Sequence, residues 1–548
     1  MSSTVRSKGS SFLSGVSLLT LSALIVKVIG LLYRIPMLDL LGTEGMGYFN
    51  TAYELYALFC VISTAGLPVA MSVLISSLEA EGRHGDAARV YRVSLCLFAG
   101  IGMGGTALLW GLSAPFAKLL GNPLSAVCMR AISPTVFLIC LSSAFRGYFQ
   151  GRRNMRPTAL SQVIEAGGKL FLGLAFAAYA RGRGLDLPAT AACAVLGLTV
   201  GTAVSVLYLL LHKRLTDRPA PDLLPADGGN PVPVLRPLLA TAIPVTVSAG
   251  VISLTKCVDL ALILRRLQTL GYTAARANSL YGCYSTLAVP VFNVLPSLTT
   301  SVALSAVPTL SAALKKGKDG EAELKKTAST ALGLTLTVAI PAALGVAVFA
   351  EDILALLFRG QPEAVAEAAP LLSCLGLSIP AACLVTVTGA MLQAAGKANR
   401  PVISMLVGVG CKTVLAYILL GTEGWGMAGA PISSLVCDTL IAGVNLCFIH
   451  RHAPAMLPTL AEGLTLFGLP TLTAAGAVGA VKLLRTALGW GSVTPLHTLC
   501  TVAAVACLYG AVVLLWWGVR GRSPKPSPVV PPASECGGPS EGWWMSSE

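Results

Sequence analysis

Runs of about 18 to 25 apolar residues recur from one end of the chain to the other, and that is the length an α-helix needs to cross a bilayer. Short polar turns separate them. About fourteen runs can be marked, at 11–35, 47–77, 90–112, 129–148, 158–180, 189–211, 238–263, 278–312, 327–349, 366–393, 401–420, 426–449, 463–484 and 494–518. A soluble domain carries roughly a quarter of its residues as Asp, Glu, Lys and Arg. Here the share is 12% of 548 residues, with a mean hydropathy of +0.74. The expected fold is an all-α integral membrane protein, because a helix satisfies its own backbone groups where no water is present.

The net charge of +14 is distributed as a topology signal. With an even number of spans and both termini cytoplasmic, the basic residues crowd into inner loops: Arg152, Arg153 and Arg156; Lys213, Arg214 and Arg218; Lys315, Lys316, Lys318, Lys325 and Lys326. Such loops lie against anionic headgroups of the bilayer, and no nucleic-acid partner is expected. The first apolar run carries Lys27, Arg34 and Pro36 and lacks a small-residue cleavage site, so it is expected to remain as a helix. The 15 cysteines are scattered through apolar runs, with no CxxC pair, and imply neither a disulfide framework nor a metal site. The segment 519–548, rich in Pro, Ser and Gly, reads as a disordered cytoplasmic tail.

Two loops repeat one another. Glu81-Gly82-Arg83-His84-Gly85-Asp86-Ala87 matches Lys316-Gly317-Lys318-Asp319-Gly320-Glu321-Ala322, and each follows a helix with a Leu-Pro step, Leu67-Pro68 or Leu295-Pro296. The run from Gln150 to Pro157 resembles that from Gln393 to Pro401, and each precedes a helix with an embedded lysine, Lys169 or Lys412. The offsets cluster near about 235 residues, which divides the chain into two six-helix lobes. The expected organisation is 1–225 and 226–455 for the lobes, 456–518 for two extra transmembrane helices and 519–548 for the tail. Six is even, so the lobes relate by an axis along the membrane normal, with the binding site between them near the midplane.

The embedded charges carry most of the functional information. A cation at mid-membrane costs on the order of 2.5 to 3.5 kcal/mol, so each needs a reason. Lys27 and Arg34 are seven residues apart, within roughly 20° on one helix face, and have no acid in helical reach. They are candidates to line an anion-receptive cavity, with Lys256 as a third cation; pairing with Glu54 or Asp259 from another helix is the alternative. Glu165 with Lys169 at i, i+4 and Lys256 with Asp259 at i, i+3 are expected pairs. Arg130 and Arg146 lie near span ends and are expected to snorkel. Glu54, Glu165, Asp259 and Asp438 are the acids available for pairing or for a coupling ion. Gly100, Gly102 and Gly105 form a GxGxxG match inside a span, which fits close helix packing better than nucleotide binding. No Walker A sequence is present, and none of the five histidines pairs with a nucleophile, so no enzyme chemistry is expected. Pro68, Pro290 and Pro296 mark expected bends.

Several segments then carry a resemblance: Ser11-Phe12-Leu13-Ser14-Gly15; the stretch Leu41 to Asn50; Phe145-Arg146-Gly147-Tyr148-Phe149-Gln150-Gly151 with Pro157 to Glu165; and Leu280-Tyr281-Gly282. From about residue 10 to 515 the chain resembles the stage V sporulation protein B branch of bacterial polysaccharide exporters, which shares a superfamily with lipid II flippases and multidrug exporters. The resemblance implies two pseudo-symmetric lobes around a central cavity, alternating access, and polyprenyl-pyrophosphate-linked sugars as substrates. It also implies that the last two helices form a groove for a lipid tail. The pattern departs from the lipid II flippases at Tyr48 to Asn50, Ile62 to Thr64 and around Gly282, so the class of lipid-linked saccharides carries over, not lipid II itself.

The expected function is a flippase or exporter of an anionic lipid-linked oligosaccharide in the bacterial plasma membrane, serving cell-wall, polysaccharide or spore-cortex assembly. Lys27, Arg34 and Lys256 would hold the pyrophosphate. No cofactor is expected beyond a coupling Na+ or H+, for which Asp259 with Asp438 is the candidate site. The expected partners are the saccharide, the bilayer and cell-envelope assembly proteins. The alternatives are a cation-coupled multidrug antiporter, disfavoured by the excess of embedded cations, and a non-transporting envelope scaffold.

Overall fold

The computed structural model describes residues 3–216, 232–488 and 495–519, and nearly all of them are helical. The tail expected at 519–548 lies outside the described residues apart from Val519, and so does most of the polar join between the lobes. Among the described residues, twelve helices are long and apolar enough to cross a membrane, and Thr64–Ala80 and Cys500–Val513 are shorter apolar helices. These twelve and the two shorter helices stand beside the expected count of about fourteen. The helix α1 (Ser3–Val61) breaks at the non-helical Gly42 into two arms, which correspond to the first expected span, 11–35, and to the start of the second, 47–77.

Gly42 adopts φ 64°, a backbone angle that favours glycine. The Tyr33 and Phe49 rings on either side of it lie 6.0 Å apart. A straight helix would separate sixteen residues by about 24 Å, so the two arms of α1 fold back on each other. Past the second arm, a π-helical turn at 62–66 leads into α2 (Leu67–Ala80), with Pro68 in its first turn.

The remainder of the first lobe is α3 (His84–Gly111), the short α4 (Ser113–Leu119), α5 (Ala126–Gly151), α6 (Arg156–Gly182) and α7 (Leu187–Thr216). The glycines set how closely these helices approach. A Cβ on Gly147 or Gly151 would press on Pro68 or Ile75 of α2, and one on Gly102 or Gly105 would meet α5 at Phe137, Cys140 and Val136. The GxGxxG match is thus a helix-packing surface.

The second lobe comprises α8 (Val232–Thr269), α9 (Ala274–Cys283), α10 (Val289–Lys315), α11 (Glu321–Val348), α12 (Ala350–Leu357), α13 (Pro362–Ala394), α14 (Asn399–Leu419) and α15 (Gly429–His452). A second π-helical turn, 284–288, joins α9 to α10. Thr273 caps α9 by accepting from the Arg276 amide at 3.2 Å. α16 (Leu460–Ala487) starts on a capping box, Thr459 with Glu462, and α17 (Pro495–Val519) closes the described chain. This last pair leans on the second lobe: the Tyr509 hydroxyl donates to the Thr337 carbonyl at 2.8 Å, and Arg485 forks onto Asp352 of α12.

The turns fall at two ends. Gly42, Gly121, 183–186, 270–273 and 420–428 gather at the kink end, where Gln268 donates to the Gly121 carbonyl and Arg181 to that of Asp39. The basic turns after α2, α5, α10 and α13 lie at the opposite, loop end. One hydrophobic cluster spans both lobes toward the kink end, from Tyr33 and Phe49 through Leu264 to Phe358 and Leu372. Separate clusters fill the loop end of each lobe.

Candidate functional site

The second arm of α1 lies against α9 and the π turn that follows it, and the meeting residues are about one repeat apart. The Thr43 and Ser279 hydroxyls share a hydrogen bond of 2.7 Å, Asn278 donates to the Glu44 carbonyl at 2.7 Å, and Asn50 donates to Ser285 Oγ and Thr286 Oγ1 at 2.8 Å each. Their sequence separations are 234 to 236 residues. Each segment thus touches its counterpart, the contact a two-fold axis makes between lobes. Glycine makes it close: a Cβ on Gly282 would lie 1.9 Å from the Thr43 carbonyl oxygen, and one on Gly47 would lie 2.3 Å from Asn278 Oδ1. Asn122, from the turn after α4, braces both sides by donating to Thr51 and Asn278.

Arg34 crosses between the lobes for a reason written in the sequence. Pro290 has no amide hydrogen, so the carbonyl four or five residues before it loses its helical donor. Those carbonyls belong to Thr286 and Ser285. Arg34 Nη1 donates to both, at 3.5 and 2.7 Å. The π turn is the local adjustment that presents them.

Around this crossing lies a cluster of embedded charges. Glu54 is within electrostatic reach of Lys256, Arg34, Asp259 and Lys169, so residues from α1, α6 and α8 share one neighbourhood. Two of the expected pairs are replaced. Glu165 takes Arg146 at 2.8 Å instead of Lys169, and Asp259 takes Lys412 instead of Lys256. The reason is helix geometry: a neighbour on a facing helix can point straight at the carboxylate, whereas i, i+3 and i, i+4 partners run alongside it. Arg146 therefore does not snorkel; it is held by Glu165 and by the Ser161 hydroxyl. Arg130 bonds the Ser113 hydroxyl at the kink end. Lys256 and Lys27 are exposed, and Lys27 forms no ion pair among the described residues. Asp438 of α15 lies within reach of Lys412. Among the described residues no group of three or more His, Cys, Asp and Glu is placed to hold a metal.

Sequence reasoning passed over the polar residues of the crossing, Thr43, Asn50, Asn122, Asn278 and Ser279, because uncharged side chains in an apolar run give no charge signal. Their spacing of about one repeat was the available clue. It also paired Lys169 with Glu165 and so missed the aromatic faces that surround it. Lys169 Nζ lies 5.1, 5.7 and 4.4 Å from the ring centroids of Tyr33, Phe49 and Tyr53.

Two helical lobes that meet around a polar axis, with charged residues in the cleft beside it, define a multi-pass membrane protein of the repeat-built transporter architecture. Comparison with known proteins names the family. The profile described as "Polysaccharide biosynthesis protein" matches residues 12–314 and the MatE profile matches 285–418, and the chain belongs to the polysaccharide biosynthesis protein family. It is 22% identical over 526 residues to Stage V sporulation protein B of Bacillus subtilis (strain 168), covering 95% of this chain and 98% of that one. It is 25% identical over 540 residues to Lipid II flippase MurJ of the same organism, covering 93% and 95%. A solved structure of Lipid II flippase MurJ in an inward closed conformation superposes with a TM-score of 0.70 at 12% identity, covering 92% of this chain and all of that one. MurJ is a flippase by name, and the likeness over nearly the whole chain supports a membrane flippase.

Proposed function

We propose that this flippase moves an anionic, polyprenyl-pyrophosphate-linked oligosaccharide across the bacterial plasma membrane for envelope polysaccharide, cell-wall or spore-cortex assembly. The observation that carries the reading is the cation excess in the cleft. Arg34 bridges the lobes, Lys256 and Lys169 lie with it in electrostatic reach of Glu54, and Lys27 is exposed. A pyrophosphate is the group such an array recognises, through charge-assisted hydrogen bonds.

In this reading Arg34 turns from the Ser285 carbonyl to the incoming phosphate, the contact at Asn50 and Ser285 parts, and the headgroup passes as the lobes rock. In this reading the basic turns at the loop end face the cytoplasm, as the positive-inside rule leads one to expect. A coupling Na+ or H+ would use Asp259 with Asp438, and Lys412 must release Asp259 for a cation to enter.

The match to the MatE profile over 285–418 favours a second reading, a cation-coupled multidrug antiporter. Proteoliposomes separate the two. The proposal expects translocation of a fluorescent polyprenyl-pyrophosphate oligosaccharide and no cation-driven uptake of a cationic dye; the reverse outcome would sink it.

A further inference from the structure

The two lobes carry a lysine at corresponding places, Lys169 on α6 and Lys412 on α14, and surround it differently. Lys412 is bonded to Asp259 across α14 and α8, with Asp438 in reach. Among the described residues Lys169 has no bonded carboxylate, because Arg146 occupies Glu165. Its ammonium lies over Tyr53, Tyr33 and Phe49, which belong to the two arms of α1. An aromatic face attracts a cation without supplying a directional acceptor, so the three N–H groups remain able to meet an oxygen. The Tyr33 hydroxyl is buried and likewise has no hydrogen-bond partner among the described residues.

The charges divide in the same way. Between the two ends, the first lobe sets Lys27, Arg34, Arg146 and Lys169 against Glu54 and Glu165, two acids short. The second sets Lys256 and Lys412 against Asp259 and Asp438, which is even. Arg34 and Lys169 are near enough to repel each other. Two cations held close in a dry interior are relieved by an anion that both can bond. Lys412 would have to abandon its bonded Asp259 to serve as such a donor, whereas Lys169, with Glu165 and Glu54 in electrostatic reach, gives up ring faces and no ion-pair bond among the described residues.

We infer that the substrate's anionic group is received by the first lobe alone, at a subsite formed by Lys169 together with Arg34. The ligand class is a lipid-borne phosphate or pyrophosphate ester. The inference rests on the anionic-substrate reading above and adds to it which lobe takes the charge. Lys256 of the second lobe stays with Glu54, the acid within its reach, and that lobe moves past a headgroup it does not hold.

The test uses the full chain in nanodiscs of phosphatidylcholine, a lipid without net charge, with farnesyl pyrophosphate and inorganic pyrophosphate as probes in calorimetry. Wild type is expected to bind farnesyl pyrophosphate, and Lys169→Met to bind it about tenfold more weakly, with a shallower dependence on salt. Lys169→Arg restores affinity to within about threefold, and Lys169→Gln replaces the Met variant if that one does not fold. Arg266→Gln, which removes a second-lobe cation that bonds the Tyr417 carbonyl at the kink end, stays within about threefold of wild type. Unchanged affinity in the Lys169 variants, or an equal loss in Arg266→Gln, overturns the subsite and leaves the substrate reading standing. A wild type that binds neither probe overturns both. Inorganic pyrophosphate bound as tightly as the farnesyl ester overturns the lipid-borne source.

Discussion

Arg34 on the first arm of α1 donates to the Ser285 carbonyl at 2.7 Å, across 251 residues of chain and from one lobe to the other. The acceptor is free because Pro290 cannot supply the helical amide, so a proline in one lobe and an arginine in the other form a single device. Arg34→Met leaves that carbonyl without its donor inside the protein, at a cost of about 1 to 3 kcal/mol. The expected result is a lower melting temperature in detergent, with Pro290→Ala partly restoring it in the double variant. Additive effects of the two substitutions would show that the arginine and the proline act separately.

The paired hydroxyls of Thr43 and Ser279 offer a covalent lock. Their oxygens are 2.7 Å apart, so Thr43→Cys with Ser279→Cys, in a background freed of native cysteines, should close a disulfide without large backbone movement. Oxidation is expected to arrest transport, and a reductant to restore it. Full transport with the disulfide formed would mean that this face does not part during the cycle.

Gly282 packs so closely that any Cβ meets the Thr43 carbonyl. Gly282→Val is therefore expected to hold the lobes apart at the kink end and shift the resting population by about tenfold or more, which corresponds to about 1.4 kcal/mol. Thiol labelling of a cysteine placed at Asn50 reads this shift directly: labelling should be faster in the Gly282→Val background. Equal rates would place the flexible point elsewhere.

Lys412 and Asp259 form the one ion pair that ties α14 to α8 among the described residues. Neutralising either partner leaves the other charge buried, at about 3 to 5 kcal/mol, while neutralising both costs much less. Thermal stability of Lys412→Met, Asp259→Asn and the double variant should show this pattern, with the double variant nearest to wild type. Additive losses would indicate that the two residues do not face each other in the membrane.

The membrane-spanning class, the two lobes and the extra helices are legible in the sequence, because apolar run length and a repeated loop are one-dimensional signals. The break at Gly42 shows in the sequence as the gap between the first two apolar runs, whereas the π turn before Pro68 does not, since apolarity runs through it. Arg34, Glu54 and Lys256 are visible as charges in apolar runs, and the structure brings them into one neighbourhood. Their partners are invisible because facing helices decide them: Glu165 reaches Arg146 on α5, and Asp259 reaches Lys412 on α14. Asn50 and Asn278 would emerge from sequence only by reading one repeat against the other.

The central claim is that cations in the interlobe cleft carry an anionic lipid-linked headgroup. The rate of headgroup translocation of a fluorescent polyprenyl-pyrophosphate oligosaccharide, in proteoliposomes containing wild type, Lys27→Ala or Arg34→Ala, tests it most directly. The account predicts transport by wild type and a loss of about tenfold or more in each variant, with the protein folded and inserted. Wild-type rates from both folded variants would contradict it.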